Sequence, residues 1–216
     1  MTKTGYGRLT VGLIAAWFVL SLMASAFHMF STSPDKPPLP LLIAVVVPIT
    51  VFWVWYRTST SFKAYVLSLN PRTLTIIHSW RIAGFVFLVL YTYGILPGVF
   101  ALPAGWGDIA IGATALLVGM RLSNPRHKRS FIAWQLLGVT DLVAAITLGA
   151  AARFIEPQAG LNGITTSPMT VLPLSLIPTF AVPFLLILHM ICIAQAVRWS
   201  EQRDGGIGQA EGSLVA

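Results

Sequence analysis

The sequence predicts an all-α, polytopic integral membrane protein with six transmembrane helices. Of its residues, 56% are hydrophobic and only 10% are charged, and the apolar residues form long uninterrupted runs. A soluble domain with a polar surface cannot accommodate such runs, whereas about 20 apolar residues in a helix span the core of a bilayer. Lysines and arginines gather at the ends of the runs. We therefore expect a single transmembrane domain over residues 1–200, embedded in the lipid bilayer.

The first two spans lie in the N-terminal third of the chain. The first falls within residues 1–30, and the second covers residues 41–56. The prolines of segment 34–40 cannot continue a helix, so this segment is a short loop. Residues 57–72 are too polar to cross a membrane. They form either a helix along the membrane surface or an ordinary loop.

The third, fifth and sixth spans are predicted at residues 73–96, 131–152 and 176–199. Residues 153–175 are rich in Gly, Pro, Ser and Thr, which predicts an external loop. Residues 201–216 are polar and Gly-rich, and we expect them to form a disordered cytoplasmic tail.

The fourth span is predicted to be a broken helix. Residues 108–120 reach only about 20 Å at 1.5 Å per residue, short of the roughly 30 Å hydrocarbon core. The preceding segment must therefore enter the membrane too, yet it contains Pro103, Gly105 and Gly107, which oppose a continuous helix. We expect a discontinuous or re-entrant element with its break near Asp108. Half-helix ends of this kind often build solute sites.

The basic residues predict the orientation of the bundle. With the N-terminus inside, the inner loops and termini receive eleven lysines and arginines, whereas the outer side receives only Lys36 and Arg153. This asymmetry places both termini in the cytoplasm and favours a multi-pass protein of the plasma (inner) membrane. It also explains the formal net charge of +7 without a nucleic-acid partner.

Five ionisable residues fall inside predicted spans, where each costs about 2.5–3.5 kcal/mol or more unless a partner or cavity receives it. At 1.5 Å per residue from the inner ends, His78 lies about 8 Å deep, Arg81 12 Å, His189 13 Å, Asp141 15 Å and Asp108 20 Å. We expect Arg81 and Asp141 to form an ion pair, with both histidines nearby. A partner left alone would be an uncompensated buried charge.

Three functions fit these residues. In the first, Arg81, Asp108, Asp141, His78 and His189 line a site that binds or conducts a small solute or protons, as in transporters. In the second, His78 and His189 are the axial ligands of a b-type haem, with Arg81 on a propionate. In the third, the chain is a scaffold or accessory subunit of a membrane complex, and the ion pair fixes helix register.

Enzymatic chemistry has little support in the sequence, because it contains no GxSxG, HExxH, P-loop or dinucleotide-binding pattern. Whether the protein is an enzyme therefore stays open. The single Cys192 and the scattered methionines predict no metal site. A homodimer is expected, because six short spans leave little surface to shield a central polar site.

Overall fold

In a computed structural model, the structure describes residues 3–32, 36–155 and 163–199, and this part of the chain is helical, with no strand. Six helices are long and apolar enough to cross a membrane. The predicted all-α bundle is confirmed, and the chain is a multi-pass membrane protein. The single domain over residues 1–200 stays a prediction, and the predicted tail at 201–216 lies outside the described residues.

The helices follow one another along the chain, and most of the connections that the structure describes are short. Short 3₁₀ turns at Pro125–His127 and Ser167–Thr170 lie in two of the connections. The α-helices are α1 (Lys3–Ala26), α2 (Leu39–Thr58), α3 (Thr60–Leu67), α4 (Pro71–Ile77), α5 (Phe85–Thr92), α6 (Gly98–Arg121), α7 (Lys128–Ile155) and α8 (Val182–Arg198).

The third membrane span is irregular at its centre. A 3₁₀ segment, His78–Gly84, joins α4 to α5, so that Pro71–Thr92 forms one continuous helical span with a tighter middle turn. The side chains buried in the 3₁₀ segment are those of His78, Arg81 and Gly84. With three residues per turn, residues three apart lie directly above one another. The 3₁₀ turn thus points His78 and Arg81 in the same direction, into the bundle.

The fourth span is not broken, and that prediction is wrong. Helix α6 runs without interruption through Pro103 and Asp108. Its 24 residues reach about 36 Å, enough to cross the hydrocarbon core. Pro103 is only the sixth helical residue, so its missing N–H removes a hydrogen bond near the helix end. In lipid, an unsatisfied backbone group costs several kcal/mol, which outweighs the weak helix propensity of the glycines.

The polar segment after the second span, residues 57–72, contains a helix, so it is not an ordinary loop throughout. Helix α3 begins after Ser59, whose Oγ accepts a hydrogen bond from the Phe62 amide at 3.2 Å. Phe62 is buried, and its ring stacks on that of Trp55 at 3.9 Å between centroids. At its other end, the Gln195 side chain donates to the Val66 carbonyl at 3.2 Å. Helix α3 therefore packs into the bundle along its apolar face.

The core of the bundle lies around α8. The span that contains α8, Ile177–Arg198, has the largest buried share of the six, and it begins with a π-helical turn at Ile177–Ala181. Helices α1 and α2 have the smallest buried shares. They are therefore peripheral helices, and α4 to α8 with the 3₁₀ segment enclose the interior that holds the polar residues.

Candidate functional site

Arg81 is the centre of a buried polar cluster that joins four membrane spans. The residue is 3% exposed. Its Nε donates to Asp108 Oδ1 of α6 at 2.7 Å, and Nη2 donates to Asp141 Oδ2 of α7. The third nitrogen, Nη1, lies 3.5 Å from Nε2 of His189 in α8. The predicted ion pair between Arg81 and Asp141 is confirmed, and Asp108 adds a second carboxylate to the same guanidinium.

Two glycines make room for the two carboxylates. A Cβ at Gly84, in the 3₁₀ segment, would collide with the Asp108 side chain, and a Cβ at Gly107 would collide with the Asp141 carboxylate. Glycine thus allows the backbones of three spans to approach closely enough for both carboxylates to reach one guanidinium. This is the role of Gly107 in α6, where the sequence suggested a helix break.

A chain of hydrogen bonds continues from Arg81 towards the start of α4. His189 Nδ1 lies 2.5 Å from Gln135 Oε1. The amide nitrogen of Gln135 donates to Thr75 Oγ1 at 3.2 Å, and Thr75 Oγ1 donates to the Pro71 carbonyl at 2.8 Å. Because the Gln135 oxygen can only accept, this pattern assigns the proton of His189 to Nδ1. Nε2 is then an acceptor that faces the guanidinium of Arg81.

His78 packs beside this chain but takes no polar part in it. Its ring stacks on the His189 ring with 3.9 Å between centroids and an interplanar angle of 26°, and it meets the edge of Trp134. The residue is fully buried, and neither ring nitrogen has a hydrogen-bond partner among the described residues. A buried imidazole without a hydrogen-bond partner is energetically costly, so a water molecule bound to a ring nitrogen would stabilise this position.

The histidine arrangement does not fit the predicted b-type haem. Axial ligands approach the iron from opposite faces, so the porphyrin plane must pass between the two imidazoles. In this protein the faces of His78 and His189 are in direct contact, which leaves no space for a macrocycle. His189 Nε2 is also directed at Arg81, and its Nδ1 at Gln135. As they are placed here, these two residues therefore do not fit a haem as its pair of axial ligands.

A small cavity adjoins the cluster beside Asp108. It has a volume of about 80 Å³ and is lined by Arg81, Gly84 and Asp108 together with apolar residues of α7, α8 and the π turn. One water molecule needs about 10–15 Å³ of cavity volume, so this cavity has room for several waters or a small ion. The side chains of Asp108 and Asp141 are 17% and 16% exposed, whereas that of Arg81 is 1% exposed. The two carboxylates are therefore more exposed than the guanidinium, although Arg81 also contributes to the wall of this cavity.

The cluster has an unbalanced charge. Arg81 supplies one positive charge, and Asp108 and Asp141 supply two negative charges. With neutral histidines the sum is −1. Among the described residues, Arg81 is the one cationic side chain that forms an ion pair with either carboxylate. A single proton or a monovalent cation would neutralise the site.

The structure brings all five predicted site residues together, but sequence reasoning missed Gln135 and Thr75. A signal was present for Gln135, which lies six residues before Asp141 in an otherwise apolar run. Residues 135, 138 and 142 share one stripe of α7 at helical spacing. Gly138 on this stripe faces the His189 ring, and a Cβ there would collide with it. Thr75 lies two turns before Arg81, on the same side of the third span.

Comparison with known proteins gives one result. No curated protein and no solved structure matches this sequence. A family model described as "Domain of unknown function (DUF8737)" matches residues 38–197. The matched region covers the five spans after the first and contains every residue of the Arg81 cluster. The chain therefore belongs to the DUF8737 family.

Proposed function

We propose that the protein is transporter-like and that it binds and releases protons at the Asp108–Arg81–Asp141 cluster within the membrane. The observation that carries the proposal is the pairing of two carboxylates with one guanidinium. A cluster that served only to hold helices together would be expected to balance its charge, because an extra buried charge is costly. The surplus of one carboxylate leaves a place for one proton.

The surroundings of the cluster support exchange. Asp108 and Arg81 border a cavity of about 80 Å³, and the side chains of Asp108 and Asp141 are both partly exposed. In this proposal, a proton reaches and leaves Asp108 by way of waters in that cavity. The opposite side of the guanidinium is closed by the His189–Gln135–Thr75 chain.

Infrared difference spectroscopy tests proton binding without knowledge of a transported solute. We expect protein in lipid membranes to gain a protonated-carboxyl band when mildly alkaline buffer is replaced by mildly acidic buffer. Asp108→Asn and Asp141→Asn should each change this band, since either substitution leaves one carboxylate for one guanidinium. Proton flux into liposomes that contain a pH-sensitive dye measures transport itself.

Thr147→Val is a matched control in the same helix as Asp141. The Thr147 hydroxyl bonds only to the Val143 carbonyl of its own helix, at 2.8 Å, so its removal leaves the cluster untouched. A carboxyl band that persists in the Asp108→Asn/Asp141→Asn double variant would contradict the proposal. A response to Na⁺ in place of acid would assign the site to a small monovalent cation instead.

A scaffold role is a second candidate, because Arg81 contacts residues of three other spans. A scaffold tolerates removal of all charges, whereas a proton site does not. The charge-free triple variant Arg81→Gln/Asp108→Asn/Asp141→Asn distinguishes the two. Unchanged growth of cells that carry this variant, together with unchanged assembly of the membrane complex that contains it, would favour the scaffold.

The orientation is also a proposal, and it rests on the distribution of basic residues. We propose that both termini are cytoplasmic and that the protein lies in the plasma membrane. A membrane-impermeant maleimide applied from outside should then label Gly163→Cys and not Asn124→Cys. The native Cys192 is buried and gives a silent background. The reverse labelling pattern would invert the topology.

A further inference from the structure

A second and larger cavity, which no residue of the Arg81 cluster lines, lies between the peripheral helices and the core. Its volume is about 440 Å³. Helix α1 contributes Thr10, Leu13, Ile14 and Trp17 to one wall, at the spacing of a single helix face. The other walls come from α2, α3, α4 and α8, and almost all of the lining side chains are apolar.

Water is a poor occupant of this cavity. A buried water needs two to four polar partners, and the apolar walls do not provide them. An empty space of this size would deprive the wall side chains of dispersion contacts. An apolar molecule is therefore the occupant that these walls favour.

The cavity opens to the bilayer. Helices α1 and α2 form two of its walls, but they are not among the helix pairs with extensive mutual contact. They are also the spans with the smallest buried share. A gap between two peripheral membrane helices faces lipid, so the molecules that meet it first are the acyl chains of the surrounding membrane.

One end of the cavity is polar. Thr10 Oγ1 lies in the wall, buried and without a hydrogen-bond partner among the described residues. The Tyr65 hydroxyl, from α3, lies beside Gly7, one turn nearer the start of α1. Both hydroxyls are therefore at the end of the bundle where α1 begins. The other end, near Trp17 and Pro48, is apolar.

Three basic residues lie at the same end of the bundle as these hydroxyls. Arg8 lies in the first turns of α1, Arg57 in the last turn of α2, and Lys63 in α3 between two residues of the cavity wall. The described part of the chain contains only two carboxylates, those of Asp108 and Asp141, and both belong to the other site. The cationic groups of Arg57 and Lys63 lie over the rings of Trp53 and Tyr56, and no described carboxylate neutralises them.

We propose that the cavity is a binding site for one anionic glycerophospholipid. One acyl chain lies between α1, α2 and α8, the ester region meets the hydroxyls of Thr10 and Tyr65, and the phosphate lies near Arg8 and Lys63. Three features match three parts of such a molecule: the apolar cavity, the hydroxyl groups at one end of it, and the basic residues at the same end of the bundle. Anionic headgroups are attracted to basic residues at this level of a membrane.

Lipid retention tests the proposal on the full-length protein. Protein purified in mild detergent with equal amounts of phosphatidylglycerol and phosphatidylcholine should keep one phosphatidylglycerol per chain, as counted by native mass spectrometry. Ile14→Trp fills the cavity from α1 and should lower retention at least about tenfold, because losing the burial of two methylenes already accounts for that factor. Leu20→Trp is the matched control, since Leu20 is 69% exposed and lies outside the cavity wall.

The charge argument has its own variants. Lys63→Gln should reduce the preference for phosphatidylglycerol, whereas Arg126→Gln, in the turn before α7, should leave it unchanged. Equal unfolding temperatures of Ile14→Trp and Leu20→Trp would show that both variants fold. Equal lipid retention by these two variants would overturn the proposal. Equal retention of the two lipids by the unmodified protein would also overturn it.

Discussion

Removal of the Arg81 charge should be the most damaging single substitution in the membrane interior. Arg81→Gln leaves Asp108 and Asp141 without the cation that contacts both of them. Removing one partner of a buried ion pair costs about 3–5 kcal/mol. For chains of 150–250 residues, each kcal/mol lowers the unfolding temperature by about 2–4 °C. We therefore expect Arg81→Gln to lower it by about 6–20 °C.

The carboxylate variants should be much milder. In Asp108→Asn the amide oxygen can still accept the hydrogen bond of Arg81 Nε, and Asp141 still balances the guanidinium. The cost is then that of a weakened hydrogen bond, about 1–3 kcal/mol at most. The triple variant Arg81→Gln/Asp108→Asn/Asp141→Asn should recover most of the loss of Arg81→Gln, because it leaves no unpaired buried charge.

The single cysteine supplies the assay. Cys192 is the one cysteine in the sequence and is 0% exposed, so a maleimide that fluoresces on reaction with thiols reports unfolding. An unfolding temperature of Arg81→Gln within about 2 °C of the unmodified protein would refute the reasoning. So would a triple variant that is no more stable than Arg81→Gln, because the loss would then not come from unpaired charge.

Three further substitutions test the packing of the site. Gly107→Ala should displace the Asp141 carboxylate, and we expect a lower unfolding temperature together with loss of the acid-induced infrared band; an unchanged band would contradict the close approach. Gln135→Leu removes the acceptor of His189 Nδ1 and should lower the free energy of unfolding by about 1–3 kcal/mol, as followed by labelling of Cys192. No change in this free energy would mean that the hydrogen bond is absent. Pro103→Ala should leave the unfolding temperature equal or higher, because it restores a backbone donor in a continuous helix; a marked fall would indicate a kink that the bundle needs.

Hydropathy was sufficient to predict the number and approximate position of the spans, because a bilayer imposes one length on every crossing helix. The starts of the third and fifth spans were placed too late. The third span begins at Pro71, after Asn70, whose side chain accepts from the Arg72 amide at 2.9 Å. An Asn followed by Pro is a helix-start pattern that the sequence contains and that hydropathy does not measure. The fifth span likewise begins with Lys128, three residues before the predicted start.

These early starts explain why Asp108 appeared too deep to join the cluster. Counted from Pro71, with six steps of 1.5 Å and four 3₁₀ steps of 2.0 Å, Arg81 lies about 17 Å from the inner end. Counted from Lys128, Asp141 lies about 20 Å deep, the same as Asp108 counted from Arg121. The two carboxylates therefore lie at one level, within one helical turn of the arginine. Residue counting found Asp141 as a partner of Arg81 and missed Asp108. It did so because it started the third and fifth spans too late and assumed α-helical rise throughout.

The 3₁₀ segment is the feature that sequence reasoning had least means to find, and it shapes the site most. In an α-helix, residues three apart differ by about 60° in direction, whereas in a 3₁₀ helix they coincide. The tighter turn lets His78, Arg81 and Gly84 all face the interior, so that the ring reaches His189 while Gly84 admits Asp108. No residue in that segment forbids an α-helix. The neighbouring spans contact this segment, and those contacts include both carboxylates. A change in the charge of either carboxylate would therefore act directly on this segment, and through it on the packing of the third span.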